Sequence, residues 1–133
     1  GDANNDSLVG YTVTHNSATA TPHIYDVDSE TACGTTCGSV CTLTDIWVNA
    51  TTDDIDWATD AGGTGSSGTG PLGDNTTGSG NYLYTEGSGC YGQEAILTSS
   101  CIDISTLTNP YISFAYHMHG TGMGDLIFFK LIK

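Results

Sequence analysis

Apolar positions in this chain gather in short strand-like runs between polar Gly/Asp turns, and no stretch of ten residues holds a helical period. Tyr11, Val13 and His15 alternate with Thr12 and Thr14, which predicts a half-exposed strand within residues 8–25, stopped by Pro22. Leu43–Asn49 predicts a second strand, and Thr51-Thr52-Asp53 turns it into a third at Asp54–Thr59. Asn81–Thr85 and Glu94–Thr98 read as a hairpin across the turn Glu86-Gly87-Ser88-Gly89. Asp103–Asn109 is a connector stopped by Pro110. Tyr111–Met118 is the clearest candidate for a buried strand, and Asp125–Ile132 follows it after a turn at Gly120–Gly124. Short strands between Gly/Asp turns predict an all-β sandwich.

Length changes this picture little: 133 residues make one domain with one core. Charge changes it more. Lys130 and Lys133 are the only basic side chains besides histidine, against fifteen acidic ones, for a net charge of -13. Such a surface repels phosphate, so no nucleic acid is expected as a partner. Anionic membranes are disfavoured too, and no apolar run is long enough to insert. Divalent cations, in contrast, are attracted to crowded carboxylates.

The five cysteines, at 33, 37, 41, 90 and 101, point to an oxidising compartment and disulfides. The Cys33-x3-Cys37-x3-Cys41 run lacks a structural zinc spacing and a fourth ligand, so residues 26–41 read as a disulfide-held loop. Cys90 and Cys101 flank the strand Glu94–Thr98 and pair either with each other or with the early cluster. An odd count leaves one cysteine free or paired outside the chain.

Candidate chemistry concentrates between Asp53 and Gly89. Residues 60–80 hold eight glycines, with Pro71, Asp74 and Asn75 as turn formers among them. Asp53, Asp56 and Asp74 are the candidate ligands of a structural Ca²⁺, with loop carbonyls completing the shell. On a strand, Asp54 and Asp56 share one face and Asp53 takes the other, so the three adjacent carboxylates cannot all serve one ion. The competing expectation is solvated turn carboxylates and Asx caps. His117-x-His119 has the spacing of a metal clip but no evident third ligand, which favours one core histidine and one turn residue. Carboxylate pairs drawn from Asp54, Asp56 and Glu86 are what any acidic chain contains, and no nucleophile elbow or phosphate-cradling loop occurs. No catalytic residue is therefore assigned. Trp47, Trp57, Tyr82 and Phe114 are expected in the core, with Tyr91 a candidate for exposure. Asn5, Asn49 and Asn75 open Asn-x-Ser/Thr sequons.

Several of these segments, taken in order, resemble a MAM domain. They are Trp47, Asp53-Asp54-Ile55-Asp56-Trp57, Gly68-Thr69-Gly70-Pro71, Asp74 to Gly80, Tyr82-Leu83-Tyr84 with Glu86, Ala95-x-Leu97, Ser113 to Met118, Gly120, and Gly124-Asp125-Leu126. The resemblance covers about residues 43–128, within a sandwich placed at 33–133 after a linker and first-strand region at 1–32. It implies a jelly-roll-like antiparallel β-sandwich without catalytic function, serving adhesion or recognition in a secreted or cell-surface protein. It also implies a structural cation in several members, and strands beyond the position of Leu126. The opening Cys-x-Phe-Glu strand of the family is not recognisable before Trp47. The partner expected from this reading is a protein or glycan ligand at the cell surface. Carbohydrate binding for a secreted enzyme is the first alternative. Self-association by strand addition through the apolar tail Leu126–Ile132 is the second.

Overall fold

The computed structural model describes residues 17–130. The strand expected at Tyr11–His15, the end of the tail at Ile132 and the sequon at Asn5 lie outside the described residues. Four short strands are formed: β1 (Trp47–Asn49), β2 (Ala58–Ala61), β3 (Asn81–Tyr84) and β4 (Leu97–Ser99). They make two antiparallel pairs, β1 with β4 and β2 with β3, and no helix occurs among the described residues. The fold is all-β, as the short strand-like runs predict.

Pairing differs from the expected hairpin. β3 does not pair with the strand that follows it; Leu97–Ser99 crosses to β1 in the register Trp47↔Ser99, Asn49↔Leu97. β3 instead lies against β2, Ala58↔Tyr84 to Ala61↔Asn81. The physical reason sits between β3 and β4, where Cys90 is tied back to Cys37. The chain cannot turn tightly at Glu86–Gly89 and also deliver Cys90 to that bridge. On the N-terminal side, Thr19 makes a parallel bridge to Ile102.

Asp53 to Trp57 do not continue a strand, so the alternation of faces expected for Asp54 and Asp56 is not realised. The backbone bends, and carboxylates take over where the ladder stops. Ala50 N–H still donates to the Ile96 carbonyl at 2.9 Å. One step further, Ile96 N–H donates to the Asp53 carboxylate and Glu94 N–H to Asp54 Oδ2. Asp54 and Ile55 N–H return to the Glu94 carbonyl.

The buried centre among the described residues is small and polar. Cys41, Ala58 and Cys90 are its buried apolar residues, together with Glu30, Thr59 and Asp74. Thr59 is only 1% exposed, and its hydroxyl donates to the Thr31 carbonyl while Cys33 N–H donates to the Thr59 carbonyl. Disulfides Cys33–Cys41 and Cys37–Cys90 cross this centre, each with Cα atoms 5.6 Å apart. They bear out the reading of residues 26–41 as a disulfide-held loop and resolve the pairing left open: Cys90 joins the early cluster and Cys101 is free and exposed. Cross-links and satisfied polar groups here do what aliphatic volume does in larger domains.

The segment expected as the clearest buried strand is neither buried nor a strand. Tyr111 to Met118 carry no strand pairing, and Phe114, expected in the core, is 54% exposed. Asp125 to Lys130 are likewise unpaired. Both runs have the composition of a strand, but neither makes a backbone ladder with another segment among the described residues.

Candidate functional site

Asp74 anchors the glycine-rich loop. It is 8% exposed, and its two oxygens accept from Thr76 N, Thr77 N, Thr77 Oγ1, Ser79 N and Gly80 N at 2.7–3.1 Å. The Thr77 hydroxyl, against the cost of burial and with help from the Thr77, Gly80 and Thr76 N–H groups, holds this carboxyl well below its ordinary range. Glycine is needed where the chain closes round the carboxylate. A Cβ on Gly73 would collide with the Gly78 carbonyl, and one on Gly80 with the Asp28 carboxylate.

Asp56 and Asp53 lie elsewhere. Asp56 Oδ2 accepts from Cys41 N–H at 2.8 Å, clamping the disulfide loop, and Asp53 accepts from Ile96 N–H beside β4. Each of the three candidate Ca²⁺ ligands thus faces N–H hydrogens, whose partial charge has the sign of a cation. Among the described residues no group of three or more His, Cys, Asp or Glu side chains is placed to hold a metal ion. As arranged, Asp53, Asp56 and Asp74 do not fit one Ca²⁺.

Two further polar anchors have no structural signature in the sequence, where Glu30 falls in no motif and Asn49 opens only a sequon. Glu30 is 4% exposed and accepts from Tyr25 Oη at 2.9 Å and from Thr44 and Asp45 N–H. Burial alone would raise its pKa, but the Thr44 N–H, the Tyr25 hydroxyl and the Asp45 N–H outweigh that and lower it. Asn49 donates from Nδ2 to the Cys41 and Trp57 carbonyls and accepts Trp57 N–H at 2.9 Å. Its sequon therefore serves as a clasp between the disulfide loop and Trp57, whose indole N–H reaches the Ala95 carbonyl at 3.1 Å. An isolated Glu or Asn among polar neighbours gives no signal of such use, because the donors it meets are distant in sequence.

Tyr82 and Tyr84 lie edge to face on β3, hydroxyls donating to the Gly62 and Gly34 carbonyls. Asp60 faces them with a buried Oδ2 that has no hydrogen-bond partner among the described residues. Burial and the Asp60 charge push the Tyr84 hydroxyl up to about 12. His117 Nε2 lies 2.8 Å from the Thr69 carbonyl, and the His119 ring is 6.2 Å from that of His117. Both are exposed, so neither is a core histidine. Their environment is a loop contact, with no third ligand gathered beside them.

Exposed large apolar side chains gather on the unpaired segments among the described residues. Phe114, Tyr116, Met118, Leu126 and Phe128, with Asp125, line an open groove of about 400 Å³. Phe114 and Phe128 stack at 6.4 Å. The exposed Tyr91, expected at the surface, underlies the turn near Gly122. A second opening of about 310 Å³ lies beside Cys41, Val48 and Asp56.

Antiparallel strands, two disulfides and carboxylate-capped loops place the molecule among the disulfide-stapled β-sandwich modules. The chain belongs to the MAM domain family, meprin/A5/mu, whose family model matches residues 28–130. A stretch of 71 residues, 53% of the chain, is 44% identical to MAM domain-containing protein 2 of Mus musculus and equally to that of Homo sapiens. The match spans 10% of the length of each of these relatives. No solved structure matches. The family is one of extracellular adhesion-type modules, and the two disulfides accord with that setting. No helix among the described residues is long and apolar enough to cross a membrane.

Proposed function

We propose that this chain is a non-catalytic adhesion and recognition module of a larger secreted or cell-surface protein. The observation that carries the reading is the family match over residues 28–130. The arrangement of charged side chains accords with it. Asp53, Asp54, Asp56 and Asp74 are spent on backbone donors, which suits a scaffold that presents a surface. The ligand is a protein at the cell surface.

Beads coated with the chain test this against a glycan array and a panel of immobilised extracellular proteins. Saturable attachment to protein surfaces is expected, with no signal above an uncoated bead on the glycans. Saturable binding to one defined polysaccharide would replace the protein-adhesion reading by carbohydrate targeting. Chelator added to the same beads is expected to leave attachment unchanged, since the three candidate carboxylates already hold N–H donors.

A further inference from the structure

We propose that the Cys33–Cys41 disulfide is a thiol-exchange site, opened and re-formed by a dithiol without loss of the fold, with Cys33 as the departing sulfur. The Cys37–Cys90 bridge is the fixed one. This exchange is independent of the adhesion reading.

The two bridges differ in what faces their sulfurs. Thr59 N–H donates to Cys33 Sγ at 3.1 Å, and the Thr59 hydroxyl lies 3.3 Å from the same atom. Thr59 sits on β2 and is 1% exposed, so these donors are fixed in place and shielded from water. Hydrogen bonds to a developing anion count for more in such surroundings. When Cys33 leaves as a thiolate, the N–H already points at it, and the hydroxyl turns to it from the Thr31 carbonyl. Once the sulfur is protonated, its S–H has the Thr59 carbonyl at 3.8 Å. Cys37 Sγ, in contrast, lies 3.9 Å from Gln93 Oε1, an acceptor that opposes negative charge. The better-stabilised thiolate leaves faster in thiol–disulfide exchange.

The backbone around the first bridge has its own supports. Cys33 N–H donates to the Thr59 carbonyl at 3.1 Å, Cys41 N–H to Asp56 Oδ2 at 2.8 Å, and Asn49 Nδ2 to the Cys41 carbonyl at 3.1 Å. These bonds keep the two cysteines facing each other when the S–S bond is open, which favours closing it again.

Exchange takes two steps. One thiolate of the dithiol attacks Cys41 Sγ, the S–S bond breaks, and its electron pair leaves on Cys33 Sγ. The second thiolate then attacks the dithiol's own sulfur in the mixed disulfide and releases Cys41. The dithiol ends as a disulfide, and its two protons end on Cys33 and Cys41. An opening of about 310 Å³ lined by Cys41 is the approach, and Asp56 in its wall opposes anionic attackers. The co-reactant is therefore a dithiol with no other negative charge.

The probe is dithiothreitol, added to the oxidised chain under native conditions after free, exposed Cys101 has been alkylated. Samples quenched at intervals and alkylated with a second label are read by peptide mass spectrometry. Cys33 and Cys41 should be labelled roughly tenfold faster than Cys37 and Cys90, with the far-ultraviolet circular dichroism unchanged. Oxidised dithiothreitol should restore the bridge. Thr59→Val removes the hydroxyl and is expected to slow this opening several-fold, and Thr59→Ser to keep the wild-type rate. A change that merely loosened the fold would speed both bridges instead. If Thr59→Val does not fold, the ratio of the two bridges in the wild type still decides. The proposal is overturned if Cys37–Cys90 opens first or at the same rate. It is overturned equally if Cys33–Cys41 opens only as the dichroism signal is lost, or opens faster in Thr59→Val.

Discussion

Two regions of this molecule share a sequence texture and differ in everything else. Residues 17–102 and residues 103–130 both hold short strand-like runs between Gly/Asp turns, but among the described residues only the first is closed by strand pairs and disulfides. In the first region the buried groups are small or polar, and nearly every carboxylate meets an N–H. In the second, from residue 108 on, large aromatic and aliphatic side chains stand in solvent beside a backbone that makes no backbone–backbone hydrogen bond among the described residues. The difference shows that a strand-like run supplies a strand's faces but not its neighbours. Closure came from cysteines and carboxylates, not from hydrophobicity.

Removing the staple should break the comparison most. Replacing Cys37 and Cys90 together by serine opens a loop with a sequence separation of 53. A loss of about 4 kcal/mol is expected in urea unfolding, enough to make the first region as open to protease as the second. Asn49→Ala comes next. It strands the Trp57 N–H and two carbonyls in the clasp, and about 2 kcal/mol should be lost in the same measurement.

Acid should then act most on the first region. The folded Asp74 carboxyl sits below its ordinary range, so its contribution to stability is complete above about pH 4 and is lost as the pH falls toward the folded value. Thermal midpoints followed from pH 6 down to pH 2 should drop in the wild type. The drop should be shallower in Asp74→Asn, which is already less stable at pH 6. The smallest effect sharpens the contrast: Phe114→Ser removes an aromatic ring yet should change stability by less than about 0.5 kcal/mol, because that ring is 54% exposed. A loss comparable with that of Asn49→Ala would mean that the second region is packed after all.

What could be read from the sequence divides along the same line. The all-β class, the family and the disulfide-held loop follow from local patterns: strand-like runs, motif order and cysteine spacing. Pairing partners do not. Glu94–Thr98 has every local mark of a hairpin return, and only the distant Cys37 draws the chain away to β1. Tyr111–Met118 has the composition of a core strand, and burial depends on whether something lies beside it. Asp53, Asp56 and Asp74 stood out as carboxylates beside a glycine loop, a pattern equally suited to holding a cation or a set of N–H groups. Glu30 and the structural use of Asn49 gave no signal, because a polar anchor is recognised by its partners, which lie 5 to 15 positions away.

The Cys37–Cys90 bridge has a further consequence if the module works under load. An adhesive domain is pulled through its backbone, and the bridge carries tension directly from residue 37 to residue 90. β1, β2, the glycine loop and β3 lie inside that shortcut and are shielded from stretch. Fully extended, the bypassed chain would measure roughly 180 Å. In single-molecule pulling, reductant should add about that much contour length. The bridge makes this part of the module a short inextensible link.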